Sequence, residues 1–268
     1  MIRQLRLVVE YDGTDLGGWQ RQANAPTVQG HLEAALTQIL QHPAAVSGAS
    51  RTDAGVHALG QVATVRTERP IPPDGVRRGV NGLLPRSISV TEVTEVPADC
   101  HPRFSSTGKH YRYLLLARPD RSPRWDTYAW HAPRPHDRAA MAVAGAAFLG
   151  EHDFRGFRSV RCVAPSTTRR MDAVELTSPA PELLALDVRG NAFLHNMVRI
   201  VAGTLVQVGL GRIDPGELPA IIASGDRRRA GPTAPPHGLT LMAVRYDGTR
   251  IPRPPAAAAP PASPAAAP

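Results

Sequence analysis

Cysteine is scarce: the 268 residues hold two, Cys100 and Cys162, far apart and outside any CxxC spacing. That excludes a disulfide-stapled scaffold and a thiolate zinc site, and it fits a reducing compartment. Long apolar runs are missing as well. Charge interrupts each stretch, so no membrane span is expected. The opening residues Met1 to Arg6 lack the apolar core of a secretion signal, so the expected location is cytoplasmic. Lysine is almost absent, with Lys109 the single example among 31 Lys and Arg residues. A GC-rich genome explains arginine in place of lysine. It does not explain 31 basic against 23 acidic residues, a net charge of +8, which favours a polyanionic partner. Metal is not expected either: among ten histidines, only His131 and His136 stand at close ligand spacing, with no cysteine or HExxH pattern beside them.

What is present is a body with a repeated order of elements. Ile251 to Pro268 is nearly all Pro and Ala with Arg253 its sole charge, a composition that cannot bury a core and reads as a disordered tail. The basicity therefore belongs to the body. Leu5, Leu7 and Val9 alternate as a strand would, and Thr27 is placed to cap a helix carrying Val28, Leu32, Leu36, Ile39 and Leu40. Short strands over 45–50 and 60–67, a helix over 73–84 and a strand over 88–96 complete a βαββαβ unit. From Lys109 the order returns: a strand over 111–117, a helix over 137–149, strands over 171–177 and 183–188, a long helix over 193–208, a short helix over 215–223 and a closing strand over 239–246. Each half has the α+β pattern of ferredoxin-like and RNA-recognition folds. Residues 1–106 and 107–250 are thus expected to form two halves, each an antiparallel sheet with helices on one face, around a binding cleft.

The segment Arg51-Thr52-Asp53-Ala54-Gly55-Val56-His57 concentrates functional side chains between two apolar strands. Taken alone, Asp and Gly two residues apart are ordinary turn chemistry. Arg51 makes it less ordinary, because alternate residues of an extended segment point the same way and would set a guanidinium beside the Asp53 carboxylate. Further motifs stand in order along the chain: Glu10-Tyr11-Asp12-Gly13, Gly18-Trp19-Gln20-Arg21-Gln22, Val80-Asn81 with Leu84-Pro85, His101 with Arg103-Phe104-Ser105, Tyr111-Arg112-Tyr113, His152-Asp153-Phe154, and Asn196-Met197-Val198-Arg199 with Gly203. Together they resemble the tRNA pseudouridine synthase A family over residues 3 to about 247.

The resemblance implies an isomerase that converts uridine to pseudouridine at positions 38, 39 and 40 in the anticodon arm of tRNA, as a homodimer without a cofactor. It implies Asp53 as the essential carboxylate, Arg199 as the cation that keeps it ionised, and Tyr111 as the ring that stacks on the target base. A carboxylate suits such a reaction because it can act covalently or take a proton. Arg51 is expected to contact phosphate or fill the place of the departed nucleotide. Arg21, Arg103 and Lys109 are further candidates for RNA contacts, with Arg77, Arg78 and the run Arg227 to Arg229 behind them. Two departures stand out: Ser50 occupies a position where glycine is usual, and Cys100-His101-Pro102-Arg103 replaces the commoner Phe-His-Ala-Arg. Two other readings stay open on sequence: a non-catalytic RNA-binding protein on the same fold, and a carboxylate-dependent hydrolase, for which no second catalytic acid or metal can be placed.

Overall fold

Alternation of buried aliphatics builds the first strand, β1 (Arg3–Tyr11), in which Leu5, Leu7 and Val9 are fully buried. The computed structural model describes residues 2–134 and 136–247, so the Pro/Ala-rich tail lies outside the described residues. Thr27 Oγ1 accepts from Gly30 N at 3.2 Å and starts α1 (Val28–Leu40), whose Val28, Leu32, Leu36 and Leu40 face the core. There follow β2 (Ser47–Gly48), β3 (His57–Thr67), α2 (Pro73–Asn81) and β4 (Ile88–Val96). The second half runs β5 (Ser106–Leu116), β6 (Trp130–His131), α3 (Arg138–Ala146), β7 (Gly150–Asp153), β8 (Thr168–Ala180), β9 (Leu183–Gly190), α4 (Met197–Gly209), α5 (Leu218–Ser224) and β10 (Leu239–Tyr246).

Within each half the strands lie in the same order, β4-β1-β3-β2 and β10-β5-β9-β8, which is the duplication expected from the sequence. The two sheets are fused edge to edge into one sheet of 10 strands. The joint is the outer edge of β3, which two partners share. β2 pairs with Ala63 and Thr64, while β10 runs parallel to β3 at His57 and Ala58. Because β2 is only two residues long, the chain between it and β3 must leave the sheet at this joint, and that excursion carries Asp53. The sheet topology, more than the local turn, thus brings the motif to the seam between the halves.

One element differs in a way that matters for the site. The apolar run predicts a helix from 193, yet α4 begins at Met197. Asn196 has φ +64°, a left-handed conformation that ends the preceding loop abruptly. Residues Phe193 to His195 are therefore loop, not helix. β6 and β7, pairing with β5 and β8, had no counterpart in the sequence reading.

Candidate active site

The loop from Ala49 to Val56 is held by its backbone and by Thr52, which frees Asp53 to face outward. Gln61, fully buried on β3, accepts from Ser50 N (3.2 Å) and donates to Ser50 O (2.7 Å). Thr52 Oγ1 and Tyr11 OH are hydrogen-bonded hydroxyls at 2.8 Å, and Trp19 N donates to Thr52 O at 3.1 Å. Gly18 is required beside this loop: it has φ +92°, and a side-chain Cβ there would lie 2.5 Å from Thr52 O. At the far end His57 accepts from Gly13 N at Nδ1 (3.1 Å), and its Nε2 faces Thr127 O (3.1 Å) and His237 O (3.2 Å). Two carbonyls on one ring nitrogen fix the proton on Nε2. They also tie the motif to the second half of the chain.

Across the seam, Arg199 on α4 donates through Nη1 to Asp53 Oδ2 at 2.9 Å. The same guanidinium is itself fixed, with Nη1 donating to Asn196 Oδ1 (3.0 Å) and Nε to Ala234 O (2.8 Å). Ala234 reaches that position because its loop lies directly on α4. Gly203 makes the approach possible: a Cβ there would fall 1.8 Å from Pro232 O. Gly231 N donates to Thr204 Oγ1 (2.9 Å), and Arg227 donates to Gly231 O (2.8 Å), so Arg227 braces this loop from within. Asp53 retains 25% side-chain exposure and Arg199 15%. The pair is thus sheltered yet reachable, which a group acting on a bound ligand needs.

Tyr111 on β5 completes the cluster. Its hydroxyl pairs with Ser50 Oγ at 2.7 Å, and Phe193 packs edge-on against its ring with centroids 5.3 Å apart. Burial pushes its phenol up to about 12, against the opposing hydrogen bond from Ser50 and with the Asp53 charge adding to the rise. The ring therefore stays neutral at physiological pH. Ser50, the departure from the usual glycine, is a direct link between the Asp53 loop and β5.

The remaining candidates divide. Arg51 is exposed and, among the described residues, pairs with no carboxylate. Alternation does not set Arg51 against Asp53, which pairs with Arg199 and His195 instead. Arg21 sits by the first turn of α1, paired with Glu33 at 3.2 Å, and the structure does not bring it to Asp53. Arg77 and Arg78 both pair with Asp74. Arg103 is exposed and Lys109 buried, both near the Tyr111 end of β5. Pro102 of the second departure accepts from Tyr246 OH at 2.5 Å, which pins the loop carrying Arg103.

His195 is the residue that sequence reading missed. Its Nε2 lies 3.1 Å from Asp53 Oδ1, so the carboxylate meets Arg199 on one oxygen and an imidazole on the other. Read as part of a helix beginning at 193, His195 had no reason to face Asp53. Among the described residues no group of three or more His, Cys, Asp or Glu side chains could hold a metal ion.

Comparison with known proteins bears on what this arrangement does. A family profile described as tRNA pseudouridine synthase matches residues 7–105 and 144–247, spanning both sides of the seam and including Asp53 and Arg199. The chain belongs to that family. It is an isomerase acting on tRNA. It is 46% identical over 246 residues to the tRNA pseudouridine synthase A of Geobacter sp. (strain M21), covering 91% of this chain and 99% of that protein. It is 44% identical to the enzyme of the same name from Geobacter sulfurreducens and 43% identical to that of Ruminiclostridium cellulolyticum, each over 245 residues, 91% of this chain and 100% of the relative. Among solved structures it is similar to a chain in a Cbf5-Nop10-Gar1 complex, with 15% identity, a TM-score of 0.35, and coverage of 75% of this chain and 45% of that one.

Proposed function

We propose that this tRNA pseudouridine synthase acts on uridines 38, 39 and 40 of the anticodon arm, in the cytoplasm, as a homodimer, with Asp53 as its catalytic carboxylate and no cofactor. The observation that carries the role of Asp53 is the convergence of one carboxylate, its arginine and an aromatic ring from three different elements on the seam between the halves. A non-catalytic RNA binder would have no use for a partly exposed carboxylate in a basic protein's cleft. The choice of tRNA positions rests on the family resemblance.

The reaction is an isomerisation. The N1–C1′ bond breaks, the base turns, a C5–C1′ bond forms, the C5 proton leaves and N1 gains a proton. Atoms balance without an oxidant, a reductant or a nucleotide triphosphate. A carboxylate can open this sequence by attacking C1′, by adding to the base, or by taking the ribose 2′ proton. Each route needs the Asp53 oxygens held in place, and Arg199 and His195 contact them from two sides. Tyr111 supplies a π face for the extruded base. Arg51, exposed on the same loop as Asp53, is the candidate cation for the strand that the base leaves.

Incubating the protein with unmodified tRNA carrying uridine at 38 to 40, without added cofactor, and mapping pseudouridine tests the reading. Product at those positions is expected; none at any uridine would overturn it. A second expectation separates the ring of Tyr111 from its hydroxyl. Tyr111→Ala should weaken tRNA binding about tenfold, in line with roughly 1–3 kcal/mol per stacked base, while Tyr111→Phe keeps affinity within about twofold. Equal losses in both variants would show that the hydroxyl, not the face, makes the contact.

A further inference from the structure

The chain's only lysine is in an unusual place. Lys109 lies on β5 two residues before Tyr111, so both side chains leave the same face of the strand. The residue is 9% exposed, yet among the described residues its ammonium has neither a hydrogen-bond partner nor a carboxylate. Its charged neighbours have the same sign. Arg103, from the loop after β4, and Arg169, on β8, both act on it repulsively, and burial together with these two arginines pulls the ammonium down to about 8. Arg169 is itself poorly satisfied: its Nε is buried without a hydrogen bond, its Nη1 reaches only Thr168 O (2.6 Å), and it also neighbours the Cys162 thiol.

The stem of Lys109 is buried while its Nζ is not among the fully buried atoms without a partner, and a cation so sheltered beside like charges costs stability. Here three cations come from three neighbouring segments and, among the described residues, no carboxylate pairs with any of them. The arrangement is adverse for the free protein and favourable for a complex with an anion. Location narrows the anion. Gly190 faces Lys109 across the β5–β9 ladder, and the Phe193 ring that packs on Tyr111 lies over Gly190. The cations therefore adjoin the proposed base site. Phe104, 79% exposed with the Arg103 guanidinium 5.9 Å from its ring centroid, adds an aromatic surface at the rim. Cations beside exposed aromatic faces suit a nucleic-acid strand, whose bases stack while its phosphates take charge-assisted hydrogen bonds.

We propose that Lys109, Arg103 and Arg169 form a phosphodiester subsite that grips the RNA backbone next to the uridine being isomerised. This rests on the tRNA-isomerase reading above and assigns the substrate's phosphate a place within it.

The test uses the full chain and three measurements on wild type, Lys109→Met and Arg169→Gln: turnover of unmodified tRNA, tRNA affinity across a salt series, and thermal midpoint without RNA. Lys109→Met should raise KM about tenfold with a smaller effect on kcat, since the contact serves binding. The slope of log affinity against log salt should become shallower by about 0.7 to 0.9, the loss of one phosphate contact. The thermal midpoint should hold or rise, because a sheltered charge among like charges has been removed; a merely structural lysine would lower it and leave the slope alone. Arg169→Gln should reproduce the KM and slope changes, and it keeps the test decisive if the methionine variant fails to fold. An unchanged KM and slope in both variants would overturn the proposal. So would inorganic phosphate raising the wild-type midpoint, but not that of Lys109→Met, while tRNA affinity stays equal, since the ligand would then be free phosphate. If the wild type makes no pseudouridine, the isomerase reading fails, whereas the salt slopes still judge the subsite separately.

Discussion

Asp53→Asn is expected to abolish pseudouridine formation, slowing it by at least ~10⁴-fold, while tRNA binding stays within about threefold of wild type. The two halves of this expectation have separate physical grounds. The substitution keeps shape and an oxygen for Arg199 but removes the negative charge and the nucleophilic or basic oxygen on which all three chemical routes depend. The fold should not notice, because the loop is held by Gln61, by the Tyr11 hydroxyl on Thr52 and by Trp19 N rather than by the Asp53 side chain. Pseudouridine mapping after long incubation, beside a filter-binding titration, measures both. Loss of binding in parallel with activity would move Asp53 from chemistry to substrate recognition.

Arg199→Met should have the next largest effect, through two losses at once. Removing a fixed donor from the proposed catalytic carboxylate should lower turnover by about 10² to 10³, the usual result of deleting one preorganised charged contact. It also leaves Asp53, Asn196 and Ala234 O without the group that joins them. An orphaned carbonyl and carboxylate cost roughly 2–3 kcal/mol, so the thermal midpoint should fall by about 5–10 °C. Arg199→Lys restores the charge but cannot bond Ala234 O and Asp53 together, because an ammonium lacks the guanidinium fork. It should recover only part of both quantities. In the Asp53→Asn background, Arg199→Met should cost little further activity, as expected of groups that act as a unit. Additive losses would argue that the two residues serve different steps.

The sequence carried the elements and the candidate site unevenly. Periodicity and caps were enough for β1, α1 and β4, where one face is apolar and Thr27 marks a start. The motifs single out Asp53, Tyr111 and Arg199, and the structure brings the three side chains into one cluster. Three features were not legible. The fusion of two sheets into one rests on a parallel pairing of just His57 and Ala58 with β10, too short to leave a pattern. The loop over 193–196 sits in an apolar run that continues into α4, and only the left-handed Asn196, invisible to periodicity, separates loop from helix. His195 was hidden for that reason. Arginine counting also misled in part, since Arg77 and Arg78 pair with Asp74 on the surface and Arg227 braces its own loop, while the single lysine pairs with no carboxylate among the described residues.

The most direct measurement follows the hydrogen that the isomerisation must release. With tRNA labelled with tritium at C5 of its anticodon-arm uridines, wild-type protein without added cofactor should liberate tritium to water in step with pseudouridine formed, one atom for each converted uridine. Asp53→Ala should liberate none while still binding the tRNA. Equal tritium release by the two proteins would contradict the account, because the bond exchange at C5 would then proceed without the carboxylate on which the site is built.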